Sequence, residues 1–174
     1  MLAGGEIIPR KETAVPRSRT KTRTDAIDLL KQDHERVEKA FKEFEKMDRQ
    51  DAEACRELIG RVCEDLTVHT TLEEEIFYPA VREAIDDEDL MNEAAVEHET
   101  ARMLIEQLQN MGPDDPNYFA TFTVLGEYVR HHIKEEQGEM FPAARKAGLD
   151  LAALAERMQA RRDELLSQED TVVR

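Results

Sequence analysis

The chain has 174 residues, of which 40% are hydrophobic and 36% are charged, and its formal net charge is −15. This length fits one domain, and the low content of glycine and proline, 7 and 6 residues, argues against a turn-rich sandwich or barrel. The acidic balance predicts neither a nucleic-acid partner nor an anionic membrane surface, and no apolar run approaches the ~20 residues of a membrane span. We therefore expect a soluble, cytoplasmic protein without a signal peptide.

The N-terminal segment 1–23 differs from the rest of the chain, because it is basic and has no apolar period. Against Glu6 and Glu12 it carries the basic residues Arg10, Lys11, Arg17, Arg19, Lys21 and Arg23. This composition predicts a disordered basic tail. A nucleic-acid-binding arm and a segment that folds back on the acidic domain are the two alternatives.

A helical period runs through most of the remaining sequence. The helical period, with capping residues at several starts and with Gly112-Pro113 and Gly148 after two of the ends, predicts helices over 25–48, 51–84, 86–111, 116–146 and 151–167. Four long helices with short connections indicate an all-α, up-down-up-down four-helix bundle. The shorter fifth helix is expected to pack outside the bundle or at a partner interface, for example that of a homodimer. We place the domain at 24–168 and a C-terminal tail at 169–174.

The inward faces of the four long helices contain an internal repeat. His34 in the first helix and His98 in the third each occupy the third position of an apolar stripe that advances in steps of three and four residues. The second and fourth helices each carry a histidine followed four residues later by a glutamate, as His69 with Glu73 and His132 with Glu136. The first two helices therefore form one half of the bundle and the next two the other, related by an approximate two-fold axis.

These six polar side chains are expected to meet inside the bundle, because residues four apart lie on one face of a helix. A buried carboxylate without a partner is costly, and an all-apolar stripe would give a more stable bundle. The economical explanation is a cationic centre. Imidazole with carboxylate and no thiolate suits iron, manganese or zinc, and carboxylates shared inside a helical bundle suit two metals. We expect His34 and His69 on one metal, His98 and His132 on the other, and Glu73 and Glu136 bridging.

The same residues resemble the hemerythrin-like family of HHE cation-binding domains over about 25–146. The resemblance rests on the sequences DHE at 33–35, HTTLEEEIFYP at 69–79, EHE at 97–99 and HHIKEEQGEMFP at 131–142. It implies a four-helix bundle around a non-haem di-iron centre, bridged by oxo or hydroxo and by carboxylates. The positions that match the ligands of the family are His34, His69, Glu73, His98, His132 and Glu136.

One departure from the oxygen-carrying members of the family bears on function. They have a second histidine four residues after the one in the third helix, and here that position is Arg102. Harder oxygen ligands favour ferric iron, so reversible oxygen carriage is less expected than iron handling or chemistry with peroxide, oxygen or nitric oxide. Peroxide breakdown is the most natural reaction for an enzyme of this kind. The alternatives are a non-enzymatic iron- or oxygen-sensing module and a metal-free structural bundle.

Four further side chains leave alternatives open. His131 competes with His132, but the apolar stripe and the spacing to Pro142 select His132 and place His131 at the surface. Tyr128 and Asp65 each lie one turn before a predicted ligand and could hold its imidazole by a hydrogen bond. The alternative places Tyr128 at a helix interface and Asp65 in solvent. Glu74 either supplies a terminal carboxylate or belongs to the solvated acidic face.

Overall fold

The computed structural model describes residues 24–172 of the chain, with side chains as far as 168. All regular structure in that part of the chain is helical. The helices are α1 (Ala26–Phe44), α2 (Ala52–Leu72), α3 (Tyr78–Ala84), α4 (Glu88–Asn110), α5 (Tyr118–Glu135), α6 (Phe141–Lys146) and α7 (Leu151–Val172), and two π-helical turns, Glu73–Phe77 and Glu136–Met140, join α2 to α3 and α5 to α6. The predicted basic tail, 1–23, lies outside the described residues.

The helix starts follow from local hydrogen bonds in the sequence. Asp25 caps α1 and forms a reciprocal capping box with Asp28, and Asp51 and Asp87 cap α2 and α4. The predicted start of the fourth long helix at 116 is wrong by two residues, because the Asp115 carboxylate accepts from the Asn117 amide and holds a turn there instead. The other ends shift as well: α1 stops at Phe44 rather than 48, and α7 continues to Val172 rather than 167.

The predicted four-helix bundle is confirmed. Helix α1 packs against α2, and α4 packs against α5, as antiparallel pairs joined by short connections. Contacts of α1 with α5 and of α2 with α4 close the ring. Helix α7 lies outside the bundle against α1 and α2, where Leu154, Ala155 and Met158 are buried. None of the described helices is long and apolar enough to cross a membrane.

The two proline-containing segments do not end their helices. At the first, the Tyr78 amide donates to the Glu73 carbonyl, five residues back, and Pro79 follows within the first turn of α3. At the second, the Phe141 amide donates to the Glu136 carbonyl in the same way. Proline has no amide hydrogen to donate to the preceding turn. The wider π-helical turn before it accommodates this missing hydrogen bond, so the helix continues. It also moves every later side chain round the helix by one position.

The buried interior consists of two apolar clusters with a polar layer between them. One cluster contains Ile27 and Leu30 of α1 together with side chains from α3, α6 and α7. The other contains Val37, Phe41 and Phe44 of α1 together with side chains from α2, α4 and α5. His34 lies between the two on α1, and the predicted ligands on the other helices lie at the same level. The bundle thus holds its polar groups in the middle of the core, walled off at both ends.

Candidate metal centre

All six residues predicted from the repeat lie in this polar layer and are buried. Their exposed fractions are 1% for His34, 5% for His69, 0% for Glu73, 2% for His98, 8% for His132 and 1% for Glu136. They come from α1, from α2 and its π-helical turn, from α4, and from α5 and its π-helical turn. The adjacent His131 has a side chain that is 57% exposed, as expected for a surface residue.

The six side chains meet in two groups that share the carboxylates. The Nε2 atoms of His34 and His69 are 3.2 Å apart. Those of His98 and His132 are 3.1 Å apart. Glu73 Oε2 lies 3.2 Å from His69 Nε2 and 3.3 Å from His98 Nε2, so it touches both groups. Glu136 Oε2 does the same from the other side, 3.1 Å from His34 and 3.5 Å from His132.

The far nitrogen of each imidazole has a partner of its own. Nδ1 of His98 lies 2.9 Å from Glu74, and Nδ1 of His132 lies 2.7 Å from Glu97. Nδ1 of His69 lies 3.4 Å from Asp33, and Nδ1 of His34 lies 3.0 Å from the Gln137 amide. An imidazole that donates from Nδ1 to a carboxylate presents a lone pair at Nε2. The three carboxylates therefore aim unprotonated nitrogens of His69, His98 and His132 at the middle of the layer, whereas the Gln137 amide nitrogen donates to Nδ1 of His34.

The repeat extends to these outer partners. Asp33 and Glu97 each precede the histidine of their own helix and contact the histidine of the next one. Glu74 and Gln137 each follow the inward glutamate and contact the histidine on the first helix of the other half, which is His98 for Glu74 and His34 for Gln137. Sequence analysis assigned none of these four to an imidazole, yet the DHE and EHE triplets and the residue after each HxxxE contain the signal.

The donor set fits a cation and is poorly satisfied without one. Among the described residues, both carboxylate oxygens of Glu73 and Oε2 of Glu136 are buried without a hydrogen bond. The imidazole nitrogens come close to these oxygens, but the contacts do not have hydrogen-bond geometry. Each unsatisfied buried acceptor costs about 1–3 kcal/mol, and more when it is charged. Paired nitrogens and unpartnered oxygens that converge on common points are what a metal ion satisfies.

The electrostatics of the layer favour the neutral form of His69 and His98, whereas the pKa of His132 is raised because Glu136 and Glu97 outweigh its burial. Burial, helped by the nearby His132, lowers the pKa of His98 to about 4, and burial also lowers the pKa of His69. Burial and the charge of Glu136 raise the pKa of Glu73 well above its usual range. Burial also opposes ionisation of Glu136, but His132 and His34 outweigh it and lower the pKa of that carboxyl. Two carboxylates so close cannot both be ionised cheaply without a positive charge between them.

Tyr78 is a site residue that sequence analysis missed. Its hydroxyl donates to Glu136 Oε1 at 2.9 Å and lies 3.1 Å from His98 Nε2 and 3.3 Å from His132 Nε2. A regular helix would place Phe77, four residues after Glu73, on this face, and the π-helical turn brings Tyr78 there instead. Burial and the two glutamates raise its pKa well above the usual range, so the phenol keeps its proton.

The two halves of the repeat differ at the position of Tyr78. The counterpart of Tyr78 is Phe141, whose ring stacks on His34 with the ring centres 5.8 Å apart. The Tyr78 hydroxyl therefore lies beside the imidazoles of His98 and His132, whereas His34 has a phenyl ring beside it. The half that contains His98 and His132 also has fewer protein donors: Glu73, His98 and His132 form a group of three, whereas His34, His69, Glu73 and Glu136 form a group of four.

A small cavity adjoins the layer. Its volume is about 20 Å³, enough for one water-sized molecule, and its walls include Val37, Leu66, Ala101 and Val129 beside the imidazoles. Tyr128 also lines it and is 46% exposed, so the cavity approaches the surface at this side chain. The walls are mainly apolar, with the nitrogens of the site at the inner end.

The structure also resolves the alternatives left open by the sequence. Tyr128 hydrogen-bonds to no imidazole in the described part of the chain and lines the cavity instead. Asp65 pairs with Arg36 at 3.1 Å rather than with His69. Glu74 lies behind His98 and contacts Arg102, so it does not face the centre of the layer as a terminal ligand would.

Comparisons with known proteins agree with this geometry. A family model described as the hemerythrin HHE cation binding domain matches residues 25–144. A hemerythrin HHE cation binding domain-containing protein from Mycobacterium kansasii has a similar fold, with a TM-score of 0.70 at 22% identity, covering 83% of this chain and 88% of that one. A DNA nickase from Nostoc sp. is 29% identical over 133 residues, which are 76% of this chain but only 37% of that protein.

Proposed function

Because the chain belongs to the hemerythrin HHE cation-binding domain family, we propose that it is a non-haem di-iron protein that handles iron or a small oxidant such as peroxide, dioxygen or nitric oxide. The observation that carries the proposal is the polar layer itself. Two pairs of Nε2 atoms, each about 3 Å apart, converge with carboxylate oxygens that have no hydrogen bond. One iron would be held by His34 and His69, the other by His98 and His132, with Glu73 and Glu136 shared between them.

The donor types support iron without excluding its neighbours in the series. Four imidazoles and two carboxylates with no thiolate suit iron, manganese and zinc alike. The carboxylates behind three of the imidazoles make those ligands more basic, which strengthens binding of a cation with high charge. Iron and manganese combine such binding with one-electron chemistry, which zinc lacks. Manganese and zinc are the alternative metals.

The cavity indicates the class of substrate. A space of about 20 Å³ with mainly apolar walls admits peroxide or a diatomic molecule and excludes organic substrates. When bound, iron would supply redox and Lewis-acid chemistry. The apolar walls limit water, and Tyr78 holds a proton within 3.3 Å of two imidazole nitrogens and 2.9 Å of a carboxylate oxygen. The conversion of two peroxides into dioxygen and two waters breaks one oxygen–oxygen bond and moves two protons from one peroxide to the other, so a hydroxyl at this place would act by donating a proton and regaining one.

The proposal is tested with iron-loaded protein and an oxygen electrode. We expect dioxygen release from hydrogen peroxide well above that of free iron at the same concentration, and its loss when His69 is replaced with alanine. The His131→Ala protein is the matched control and should retain the turnover. Release no faster than free iron, together with iron bound in stoichiometric amount, would reject peroxide breakdown and leave the di-iron protein in a sensing role.

Tyr78→Phe should separate proton supply from metal binding. The variant would place a phenylalanine beside His98 and His132, just as Phe141 lies beside His34 in the wild-type chain. It is therefore expected to fold and to keep its iron. Loss of a positioned proton donor typically costs about 10²–10⁴-fold in rate, and peroxide turnover should fall within that range. Iron analysis and oxygen release on the same samples decide the question. Unchanged turnover, or a loss of iron that matches the loss of rate, would contradict this role.

A sensing module is the second candidate function, and the packing of α7 favours it. This helix contacts both α1 and α2, and through them the polar layer, so metal occupancy can alter how firmly it docks. Iron-dependent ordering or partner binding without peroxide turnover would support this alternative.

The absence of a nucleic-acid partner and the formation of a homodimer stay predictions. The nickase from Nostoc sp. matches over little more than a third of its own length, so its activity belongs to that whole protein. The net charge of −15 predicts that this chain has no nucleic-acid partner, which a gel-shift assay with duplex DNA tests. Light scattering tests the predicted homodimer.

A further inference from the structure

Helix α7 is linked to the polar layer by a series of contacts between charged side chains. Arg162 of α7 extends to the Asp33 carboxylate on α1, whose Oδ2 lies 3.4 Å from His69 Nδ1. The side chains of Asp33 and Arg162 are 2% and 17% exposed. Arg36 holds the other oxygen of the same carboxylate at 2.8 Å. Asp33 is thus fixed from one side by α1 itself and from the other by α7.

This arrangement costs stability, which suggests that it serves the site. The Nε atom of Arg162 is buried and has no hydrogen-bond partner among the residues the structure describes. A buried donor without an acceptor costs about 1–3 kcal/mol. An apolar side chain would join Leu154 and Met158 at the face of α7 without that cost. The guanidinium is therefore placed for its contact with Asp33 rather than for packing alone.

Among the residues whose side chains the structure describes, the other half of the repeat has no equivalent of this contact. There the carboxylate behind His132 is Glu97, at 2.7 Å, and its outer neighbour is His131 at 3.5 Å, whose side chain is 57% exposed. Helix α7 packs against α1, α2 and the first π-helical turn, and Arg162 reaches the half that contains His34 and His69. The two-fold symmetry of the inner residues is thus broken by one helix.

We propose that Arg162 is a positioning residue for the metal centre: by holding Asp33 against His69, it couples the docking of α7 to metal binding at the half formed by His34 and His69. The inference rests on the proposed metal binding and adds to it that the two metal positions differ. A histidine ligand needs a fixed outer partner to keep its ring orientation and its Nε2 lone pair. Coupling is reciprocal, so metal at this half must also tighten α7.

Arg162→Met tests the proposal, with Arg161→Met as the matched control. Methionine keeps much of the apolar length of the arginine stem. Arg161 also ties α7 to the π-helical turn, through Glu75 at 2.7 Å, but reaches no imidazole. Ferrous iron titrated into the full chain under argon should show two binding steps. In Arg162→Met one step should weaken by about 10–100-fold, the typical cost of losing an outer partner of a ligand, while the other step and the control are unchanged.

Two further measurements distinguish positioning from mere helix attachment. Asp33→Asn changes no residue of α7 and should weaken the same single binding step. Arg162→Lys should keep part of the iron affinity that Arg162→Met loses. Hydrogen exchange of α7 amides should slow when iron binds to the wild-type chain or to Arg161→Met, and should not respond in Arg162→Met. If Arg162→Met loosens α7 but leaves both binding steps unchanged, or weakens both steps equally, the inference fails while the proposed function stands. A wild-type chain that binds no iron would overturn the proposed function as well.

Discussion

Replacing His69 or His132 with alanine is expected to remove iron from the chain, whereas replacing His131 with alanine should leave the iron content unchanged. Each of the first two is buried and contributes one Nε2 atom to a pair about 3 Å across, so its loss removes a donor that no neighbour can replace. The affinity should fall by more than the about 10–100-fold that loss of an outer partner costs. Metal analysis of the three variants after identical iron loading and desalting measures this.

The third variant makes the comparison specific. His131 is adjacent to His132, contacts Glu135 at 3.2 Å in a second HxxxE pattern, and is exposed. The His131→Ala and His132→Ala variants are therefore matched in histidine content, charge and position in the helix. They differ in whether the lost side chain points to the surface or into the bundle. Equal iron loss from His131→Ala and His132→Ala would show that the register assigned to α5 is not the one that binds metal.

Replacing Glu73 with methionine should make the metal-free protein more stable and abolish its stabilisation by iron. The wild-type carboxyl is 0% exposed and has no hydrogen bond, so a similar-sized apolar side chain removes a cost. Replacing a buried ionic group in this way typically ranges from neutral to about 1–4 kcal/mol stabilising. In the wild-type chain, iron at about a hundredfold above its Kd should add about 2.7 kcal/mol. That gain corresponds to a rise in Tm of about 5–10 °C for a chain of this size.

Thermal unfolding of wild type and variant, each with and without iron, gives the four values needed. Glu57→Met is the control, because Glu57 is exposed on α2, and a surface change of this kind stays within about 0.5 kcal/mol. A metal-free Glu73→Met protein that melts below the metal-free wild type would mean that Glu73 stabilises the bundle by itself. The premise that the polar layer exists for a cation would then fail.

The bundle and its inner residues could be predicted because a single pattern specifies both. Apolar residues in steps of three and four define which face of each helix is buried, and the histidines and glutamates fall on that face. The repeat then supplies a second, independent indication, since His34 and His98, or His69 and His132, occupy equivalent places. Burial of all six residues follows from this pattern alone.

What escaped prediction depends on departures from the ideal helix or on contacts between helices. Tyr78 reaches the layer only because a π-helical turn adds one residue, and the sequence pattern assumes a constant period. Asp33 and Glu97 contact histidines of a different helix, at distances that depend on how the helices pack. The contact of Arg162 with Asp33 depends on where α7 docks, which its own weak apolar stripe does not specify.

An anomalous difference map at the iron absorption edge, from crystals of the iron-loaded chain, tests the central claim most directly. The account predicts two peaks inside the bundle, one beside the Nε2 atoms of His34 and His69 and one beside those of His98 and His132, with Glu73 and Glu136 touching both. Peaks confined to the surface, for instance beside His131 and Glu135, or an empty polar layer in fully loaded crystals, would contradict it.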